Sequence, residues 1–414
     1  MDPFACVGVA GGPYISKYAP TGALLWTSLF NDAAGSSNNI ASGIAVDTQG
    51  NFYVTGSTAA TNGYGILTAK YLPNGQQAWA ALYLGTSDDF AEEVVVDAAG
   101  NVYVCGAAWG SGYDFILIKY DANGHQAWAR AYDGPSSGYD IAARLVVDNA
   151  GFVYVTGWSP GTNFVTDFAT IKYDAAGSQL WVARYEGPGS GEDNPHGLGV
   201  DAVGNVYVTG SSVGVDNQYH IATLKYAPDG TQLWVRRYTG PANGNDYSRA
   251  LAVDGAGNVY VEGHSDTAPG PTPPTEVVTL SYDSAGTQRW VARCETWVES
   301  GPYYRNGSMA VNGNATVYVA DTTFAGGSPA FLTLKYVQRT SVPARLARPT
   351  ISPDGQLRCG LTGEPGARYT IQVSTDLLNW GSVTSVVATA TGEAEFSDTP
   401  TTGPSQRFYR AVQP

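Results

Sequence analysis

The sequence predicts an all-β protein in which a seven-bladed β-propeller, with six blades as the alternative, precedes a small β-sandwich. Imperfect copies of one segment, each about 50 residues long, follow one another up to residue 338. Each copy contains four short apolar or alternating runs separated by Gly, Asn, Asp and Pro, which is typical of four antiparallel strands. Four-stranded sheets repeated in this way form a propeller, because radial closure protects the sheet edges.

The repeated third run, which ends in a tyrosine, sets the predicted number of blades. A partial copy at residues 4–30 lacks a first strand, five full copies follow, and the last copy lacks the fourth strand that carries a tryptophan. We therefore expect the two ends of the propeller segment to close the ring, and six blades would result if the Trp26 strand completed the last one. The seven third runs end at Tyr18, Tyr71, Tyr120, Tyr173, Tyr226, Tyr282 and Tyr336.

The lengths of the connections distinguish two faces of the propeller. The step from the end of strand one to the Tyr of strand two is six residues in all six copies, and that from the Tyr of strand three to the Trp of strand four is eight. The other connections vary, from 17 to 22 residues between the two Tyr and from 18 to 22 after the Trp. Fixed turns use Asp side chains and Gly with positive φ, so the repeated Asp, Gly, Tyr and Trp are predicted to be structural. Binding usually resides on loops that vary, and we name their side of the propeller the variable face.

Composition and charge limit the classes of partner. The net charge is −14 and the six lysines are spread over six copies, which disfavours nucleic acid because phosphates need clustered cations. No apolar run approaches the roughly 18 residues of a membrane span. The repeated lysines and the arginines after the Trp are predicted to be solvated, and the cysteines, which lack C-x-x-C spacing, to be free thiols. These arginines are Arg130, Arg184, Arg237 and Arg293, and the cysteines are Cys6, Cys105, Cys294 and Cys359.

Two repeated motifs carry a resemblance to a known family. The motifs VDAVGNVYVTG and KYDANGHQAW resemble the SBBP-type bacterial β-propeller repeat over residues 4–338. The resemblance implies a propeller and a location outside the cell or in the cell envelope. The chain opens with Met1 and no signal peptide, so an exported protein would have lost that segment.

The domain organisation follows from where the repeats stop. Residues 1–338 are predicted to form the propeller, and residues 339–348 read as a linker. Residues 349–414 show short alternating runs, as in a small β-sandwich of immunoglobulin or fibronectin type. The runs YTIQVSTDLLNW and QRFYRAV resemble a module that closes many secreted bacterial proteins, and this resemblance implies spacing, attachment or sorting.

Aromatic residues outside the repeat pattern are the candidate ligand-binding residues. They fall in or beside the variable connections, and an apolar ring with a polar edge suits a sugar ring or a protein surface. The predicted function is therefore an exported, non-catalytic protein that binds carbohydrate or a cell-envelope partner. The candidates are Trp109, Tyr113, Tyr139, Trp158, Tyr247, Trp297 and Tyr303, with Tyr304 beside the last.

Two further sets leave other functions open. Polar residues near the first strands could line the mouth of the propeller and cleave a polysaccharide. No G-x-S-x-G motif, which would indicate a nucleophilic serine, occurs. A third alternative is a purely structural surface protein, which would have no pocket there. An acidic residue eight positions before the end of strand one could form a Ca²⁺ ring, or could cap the turn into that strand. The first set is Glu92, Glu93, Arg144, His196 and Arg249, and the second is Asp89, Asp140, Asp193 and Asp246.

Overall fold

The protein is all-β and divides into two compact units, residues 1–336 and 337–414. No helix occurs in the described part of the chain, and hence none there is long and apolar enough to span a membrane. The computed structural model describes residues 4–9, 12–19, 21–30, 39–61, 63–136, 138–268, 274–294, 307–313, 315–325, 328–336, 345–347, 349–352, 356–363, 366–399 and 407–412.

The first unit consists, in its described residues, of seven successive antiparallel sheets in which strands adjacent in sequence pair with one another. Sheets two to six have four strands, which we number one to four, whereas the described residues include no first strand for sheet one and no fourth strand for sheet seven. The strands are, in sheet one, β1 (Phe4–Val9), β2 (Gly12–Tyr18) and β3 (Leu24–Leu29); in sheet two, β4 (Asn39–Val46), β5 (Phe52–Ala60), β6 (Gly63–Tyr71) and β7 (Gln77–Tyr83); in sheet three, β8 (Asp89–Val96), β9 (Val102–Trp109), β10 (Tyr113–Tyr120) and β11 (Gln126–Tyr132); in sheet four, β12 (Ile141–Val147), β13 (Val153–Pro160), β14 (Thr166–Tyr173) and β15 (Gln179–Tyr185); in sheet five, β16 (Asp193–Val200), β17 (Val206–Val213), β18 (Tyr219–Tyr226) and β19 (Gln232–Tyr238); in sheet six, β20 (Asp246–Val253), β21 (Val259–Asp266), β22 (Thr275–Tyr282) and β23 (Gln288–Cys294); and in sheet seven, β24 (Ser308–Val311), β25 (Val317–Ala325) and β26 (Ser328–Tyr336).

The first strands lie innermost. From β4 to β24, strand one of each sheet contacts strand one of the next, and the hydrophobic clusters lie between neighbouring sheets. Tyr103 and Val155, for example, share one cluster between sheets three and four. The predicted all-β propeller architecture is confirmed, whereas the number of blades and the closure of the ring stay predictions.

The turn after strand one shows why its length is fixed. Asp97 Oδ1 accepts the backbone N–H groups of Ala99 at 3.0 Å and Asn101 at 2.8 Å, and Tyr103 donates its hydroxyl proton to Oδ2 at 3.2 Å. Gly100 occupies the left-handed region with φ 82°. Asp47, Asp148, Asp201 and Asp254 make the same contacts with their own Tyr, so the repeated Asp, Gly and Tyr have structural roles.

The repeated Trp and Lys connect each sheet to the next. Trp181 Nε1 donates to the carbonyl of Pro228 at 3.0 Å, and its ring lies 6.4 Å from Tyr154 and 6.3 Å from Tyr226. Lys172 donates to the same carbonyl at 3.1 Å and is 6% exposed. The prediction that the repeated lysines are solvated is therefore wrong at Lys172, and also at Lys225, because both are buried with their ammonium groups over tyrosine rings.

The prediction that the arginines after the Trp are solvated is also wrong. Arg184 donates to the hydroxyl of Tyr132 in the preceding sheet at 3.3 Å, to Ser159 Oγ at 2.7 Å and to Asp167 Oδ2 at 2.9 Å. One of these acceptors, Tyr132, belongs to the preceding sheet, so the sequence of the strand that carries Arg184 does not reveal this contact. Arg237 and Arg293 bind Tyr185 and Tyr238 in the same way, and Arg130 donates to the carbonyl of Gly177.

The second unit contains two sheets around one hydrophobic core. Arg345–Leu346 lies within the predicted linker, yet it pairs with Leu361 and Thr362 and so belongs to this unit. The core includes Cys359, Leu361, Tyr369, Ile371 and Phe396. One sheet has β27 (Arg345–Leu346), β28 (Thr350–Ile351) and β32 (Glu393–Asp398) paired with β29 (Leu357–Thr362), and the other has β31 (Gly381–Val387) and β33 (Phe408–Val412) paired with β30 (Arg368–Ser374).

The redox state and the burial of the cysteines can be tested by thiol titration. Cys105, Cys294 and Cys359 are free thiols, whereas the side chain of Cys6 lies outside the described residues. Cys105 is fully buried, and burial raises the pKa of its thiol well above the ordinary value. We expect titration without reductant to find four reactive thiols in the unfolded protein and none at Cys105 in the native protein. Two or fewer thiols after unfolding would contradict the assignment.

Candidate functional site

The first strands share one irregularity that shapes the centre of the propeller. In sheets two to six, the register between strand one and strand two shifts at the same place, so that one extra residue stands in strand one. A β-bulge of this kind re-aims a side chain and is common next to binding sites. The extra residues are Ser42, Glu92, Ala143, His196 and Arg249.

A cavity of about 380 Å³ lies where these strands meet. Strand one of every sheet from two to seven contributes to its wall, mostly with residues from the middle of the strand. A second cavity of about 430 Å³ is lined by the carboxyl ends of first strands and by fixed turns, so the first cavity lies nearer the variable connections. The structure therefore brings together, in the first cavity, the residues Glu92, Glu93, Arg144, His196 and Arg249.

Glu93 and Arg144 form the acidic and basic sides of this cavity between sheets three and four. Glu93 Oε2 accepts the backbone N–H of Leu145 at 2.5 Å. Burial raises the pKa of Glu93, and the nearby guanidinium of Arg144 and the N–H of Leu145 offset part of that rise. Glu93 therefore keeps its proton to a higher pH than an exposed glutamate, which suits a proton donor.

Arg249 and His196 line the cavity but are almost completely buried. Arg249 is 0% exposed and His196 is 2% exposed. The Arg249 guanidinium lies 5.9 Å from the centre of the Tyr247 ring, and its Nη2 is 3.4 Å from His264 Nδ1. Arg249 thus connects the cavity wall to a second group of buried residues behind it.

This group, which we name the buried triad, consists of Glu262, His264 and Asp321. His264 Nε2 lies 2.5 Å from Asp321 Oδ2 and 3.9 Å from Glu262 Oε1, so sheets six and seven are joined here. The three side chains each offer a possible metal ligand within 4.8 Å of the others. Arg249 already supplies positive charge on the Nδ1 side of His264, which reduces the need for a metal ion.

Glu262 is the member of the buried triad with the least compensation. It is 0% exposed, and neither of its carboxylate oxygens makes a well-aligned hydrogen bond among the described residues, although the carboxyl group of Asp321 lies close to it. Burial raises its pKa far above the usual value, and the charge of Asp321 adds to the rise. Sequence reasoning missed this triad, although each member departs from the repeat: Glu262 replaces a Thr, His264 stands where Ser211 does in sheet five, and Asp321 replaces a Gly.

Three of the predicted aromatic residues form a cluster on the variable face, which we name the aromatic platform. The Trp109 and Tyr113 rings meet edge to face with their centres 4.8 Å apart, and Tyr139 lies 5.5 Å from Tyr113. Tyr139 is 58% exposed. Phe90, in β8, packs 5.3 Å from Tyr113, and the same strand carries Glu92 and Glu93 into the cavity. The platform therefore stands at the end of a strand that also lines the cavity.

The other predicted aromatic residues have different environments. Tyr247 is only 8% exposed and packs 5.3 Å from Tyr219, so its prediction as a loop residue open to ligand is wrong. Trp158 lies within β13 and is half-buried, rather than at the start of a loop. Trp297, Tyr303 and Tyr304 lie outside the described residues.

Asp89, Asp193 and Asp246 accept backbone N–H groups from the connection before their strand, and the Gly134 N–H and the Ser159 hydroxyl lie close to Asp140. Asp193 accepts the N–H groups of Gly187 at 2.5 Å and Val213 at 3.1 Å, and Asp89 binds Gly85 and Trp109 likewise. Asp246 accepts the N–H of Gly240 at 2.8 Å. These contacts fit the capping alternative. Among the described residues, Asp140 alone of the four belongs to a group of possible metal ligands.

Several solved structures are similar to this chain over much of its length. Solved structures similar to this chain include an ulvan lyase bound to a saccharide (TM-score 0.44, 10% identity, 80% of this chain and 90% of that chain). A second polysaccharide lyase has a TM-score of 0.48 with 11% identity over 80% and 87% of the two chains. A variant of the Synechocystis apocarotenoid oxygenase has a TM-score of 0.43 with 10% identity over 74% and 72%. No curated protein matches the chain.

The matched family lies within the propeller unit. Residues 25–64, 180–215 and 233–271 match the β-propeller repeat of the SBBP family. Each matched segment begins in strand four of one sheet and passes through strands one and two of the next. The resemblance seen in the sequence motifs is confirmed, because three segments of the chain match the SBBP β-propeller repeat.

Proposed function

We propose that this protein binds carbohydrate on its variable face, with the aromatic platform stacking on a sugar ring and the central cavity receiving polar groups beside it. It acts as a binding protein outside the cell or in the cell envelope, the location that the repeat resemblance implies. The observation that carries the proposal is the platform, because three aromatic rings from two connections gather where Tyr139 remains 58% exposed.

The backbone fixes the platform before any ligand arrives. The N–H of Asp140 donates to the carbonyl of Tyr113 at 2.7 Å, and Tyr113 and Tyr139 form an isolated parallel bridge. Thr86 Oγ1 donates to the carbonyl of Trp109 at 2.6 Å, so the third ring is also tied to a neighbouring connection. Binding to a preorganised surface loses less side-chain entropy than binding to mobile rings. This rigidity supports recognition by stacking.

Polar groups in the cavity complement the rings. Carbohydrates present apolar ring faces and hydroxyl edges, so aromatic rings and charged hydrogen-bonding groups are both needed. Glu92, in the strand that holds Phe90, and Arg144, in strand one of the next sheet, supply such groups. A purely structural protein would have no pocket on this face, and the cavity of about 380 Å³ argues against that alternative.

Removing platform rings is expected to weaken binding and to leave the fold intact. The wild-type protein is applied to a glycan array, and its best ligand is then titrated calorimetrically into Trp109→Ala and Tyr139→Ala. Each change should weaken binding by more than about 1 kcal/mol, or roughly fivefold, because a stacked aromatic anchor is lost.

Phe164→Ala is the matched control, since Phe164 is a 75% exposed ring on another connection of the same face. It should bind as the wild type does. Equal affinity in all three variants would refute the platform as the binding surface, and so would an array without any bound glycan.

Polysaccharide cleavage in the cavity is the second candidate function. The observation that favours it is the shared cavity of His196, Arg249 and Glu93, which offer a base, a cation for a sugar carboxylate and a proton donor. The test incubates the protein with each polysaccharide that binds. Ultraviolet absorbance detects the unsaturated products of a lyase, and an assay for reducing ends detects cleavage by either a lyase or a hydrolase. Product formation that is lost in His196→Ala, with binding retained, would establish an enzyme; binding without any product supports the first proposal.

A further inference from the structure

Three carboxylates meet between sheets three and four, on the variable face. Asp114 is the second residue of strand three of sheet three, Asp133 follows its strand four, and Asp140 precedes strand one of sheet four. One oxygen of each lies within 4.8 Å of the others. Asp133 is exposed, Asp114 is half-buried and Asp140 is fully buried. We name this group the acidic triplet, and like charges so close together repel one another unless a cation or protons intervene.

The repeat supplies an internal comparison, because the same three positions exist between sheets four and five. They hold Asp167, Glu186 and Asp193, which are also acidic. There, however, Arg184 reaches from strand four, and its Nη2 donates to Asp167 Oδ2 at 2.9 Å. A guanidinium therefore neutralises part of the charge at this junction.

The junction between sheets five and six is balanced differently. The three positions hold His220, Thr239 and Asp246, so a single carboxylate remains, and Arg237 occupies the position of Arg184. His220 Nδ1 lies 3.0 Å from Thr239 Oγ1 and 3.9 Å from Asp246 Oδ2. The negative charge at this junction is thus smaller, because His and Thr replace two of the three carboxylates.

The junction with the acidic triplet has neither form of compensation. Ala131 pairs with Ile116 as Arg184 pairs with Ala169 and Arg237 with Ala222, so an alanine stands where the other junctions place arginine. In the part of the chain that the structure describes, neither Asp114 nor Asp133 forms an ion pair. Three carboxylates therefore face one another at a position that lacks the guanidinium of its neighbours.

Asp140 adds an independent sign of a missing partner. It is 0% exposed, and neither Oδ1 nor Oδ2 makes a well-aligned hydrogen bond within the described residues, although the Ser159 hydroxyl and the Gly134 N–H lie close enough to stabilise the carboxylate. Burying a carboxylate with such incomplete hydrogen bonding is costly, and native structures commonly pair such groups or give them a cation. Its position in the triplet directs it towards Asp114 and Asp133, on the side that opens to solvent through the exposed Asp133.

We propose that the acidic triplet binds one Ca²⁺ ion, which takes the place that an arginine has at the neighbouring junction. All three ligands are carboxylate oxygens, which hard cations prefer, and no nitrogen or sulfur ligand is present to favour zinc. Ca²⁺ accepts six to eight oxygens in flexible geometry, so water on the open side completes its shell. Asp114 follows Tyr113 and Asp140 follows Tyr139, so the ion ties together the two segments of the aromatic platform.

The first test measures calcium without any carbohydrate, so its result does not depend on the proposed function. The chelator-treated full-length protein is titrated with CaCl₂ by calorimetry, and its melting temperature is recorded in excess chelator and in excess Ca²⁺. We expect one bound ion and a rise of several degrees, because an ion that binds only the folded state stabilises it. Asp114→Asn and Asp140→Asn should each lose the heat and the rise, whereas Asp167→Asn, at the arginine-balanced junction, should keep both.

A gain-of-charge variant keeps the proposal testable if the Asn variants fold poorly. Ala131→Arg places a guanidinium where Arg184 lies in the next sheet, so it should raise the melting temperature without metal and abolish the response to Ca²⁺. Ala131→Leu is the matched control, because sheet two carries Leu82 at this position; it should retain the response. No heat and no rise in the wild type, or a response that survives in Ala131→Arg and in both Asn variants, would overturn the proposal.

Discussion

Replacing Trp234 by Ala is expected to destabilise the protein by about 3–5 kcal/mol, the usual cost of removing a large buried aromatic ring. Trp234 is 8% exposed, and its ring lies 6.2 Å from Tyr207 and 6.4 Å from Tyr282. It belongs to the cluster between sheets five and six, and its Nε1 donates to the carbonyl of Ser284 at 3.3 Å. The change therefore removes both a ring that fills the gap between sheets and a link across it. Equilibrium unfolding in urea measures the loss.

The matched control is again Phe164→Ala, which removes an exposed ring and should change the free energy of unfolding by less than about 0.5 kcal/mol. Trp234→Phe should fall between the two, because it keeps most of the ring contacts and loses the Nε1 hydrogen bond. A loss below about 1 kcal/mol in Trp234→Ala would contradict the structural role given to the repeated tryptophans.

Replacing Glu262 by Thr is expected to stabilise the protein by roughly 1–3 kcal/mol at mildly alkaline pH, the cost of burying a polar group without a well-aligned hydrogen bond. Thr is the residue of the repeat at this position in three other sheets, where Thr209, for example, bonds the carbonyl of Ala222 at 3.1 Å and lies 3.2 Å from the hydroxyl of Thr223. Glu262 pairs with Thr279 in register, so the variant can form the same hydroxyl pair.

The stabilisation should depend on pH in a defined direction. Burial raises the pKa of Glu262 in the folded protein above its ordinary value of about 4.5, so the folded state holds a proton that the unfolded chain releases. The wild type therefore loses stability as the pH rises above about 4.5, whereas the variant lacks this loss. The gain of Glu262→Thr should be small at pH 4 and should grow towards pH 8. A gain independent of pH, or a loss of stability at pH 8, would contradict the burial of an uncompensated carboxyl group.

A residue that lowers stability in this way needs a reason to be present. Glu262 lies against Gly307 and Arg249, which both line the central cavity, so its charge acts on the cavity wall. Groups that lower stability often occur at functional sites. Replacing such a group by the residue of the repeat then raises stability and lowers activity. Testing Glu262→Thr in the carbohydrate assays would show whether the buried triad contributes to binding.

Much of the fold could be predicted from sequence because it is encoded locally. The turn at Asp97 closes within six residues, and its Asp, Gly and Tyr satisfy one another wherever the motif recurs. Repeated strands also place equivalent residues at equivalent radial positions. For that reason Glu92, His196 and Arg249, which share one position in strand one, could be expected to meet in a central cavity.

The sequence by itself therefore determined the strand order, the fixed turns, the two faces and the residues of the cavity. Only the tertiary structure decided which side chains face a neighbouring sheet. Tyr247 is buried against Tyr219, Arg184 binds the hydroxyl of Tyr132, and His264 meets Asp321 across 57 positions of sequence. These environments arise at junctions between sheets, where the partner comes from another copy of the repeat. The charge balance at a junction is set by that pairing, so no pattern within a single strand can reveal it.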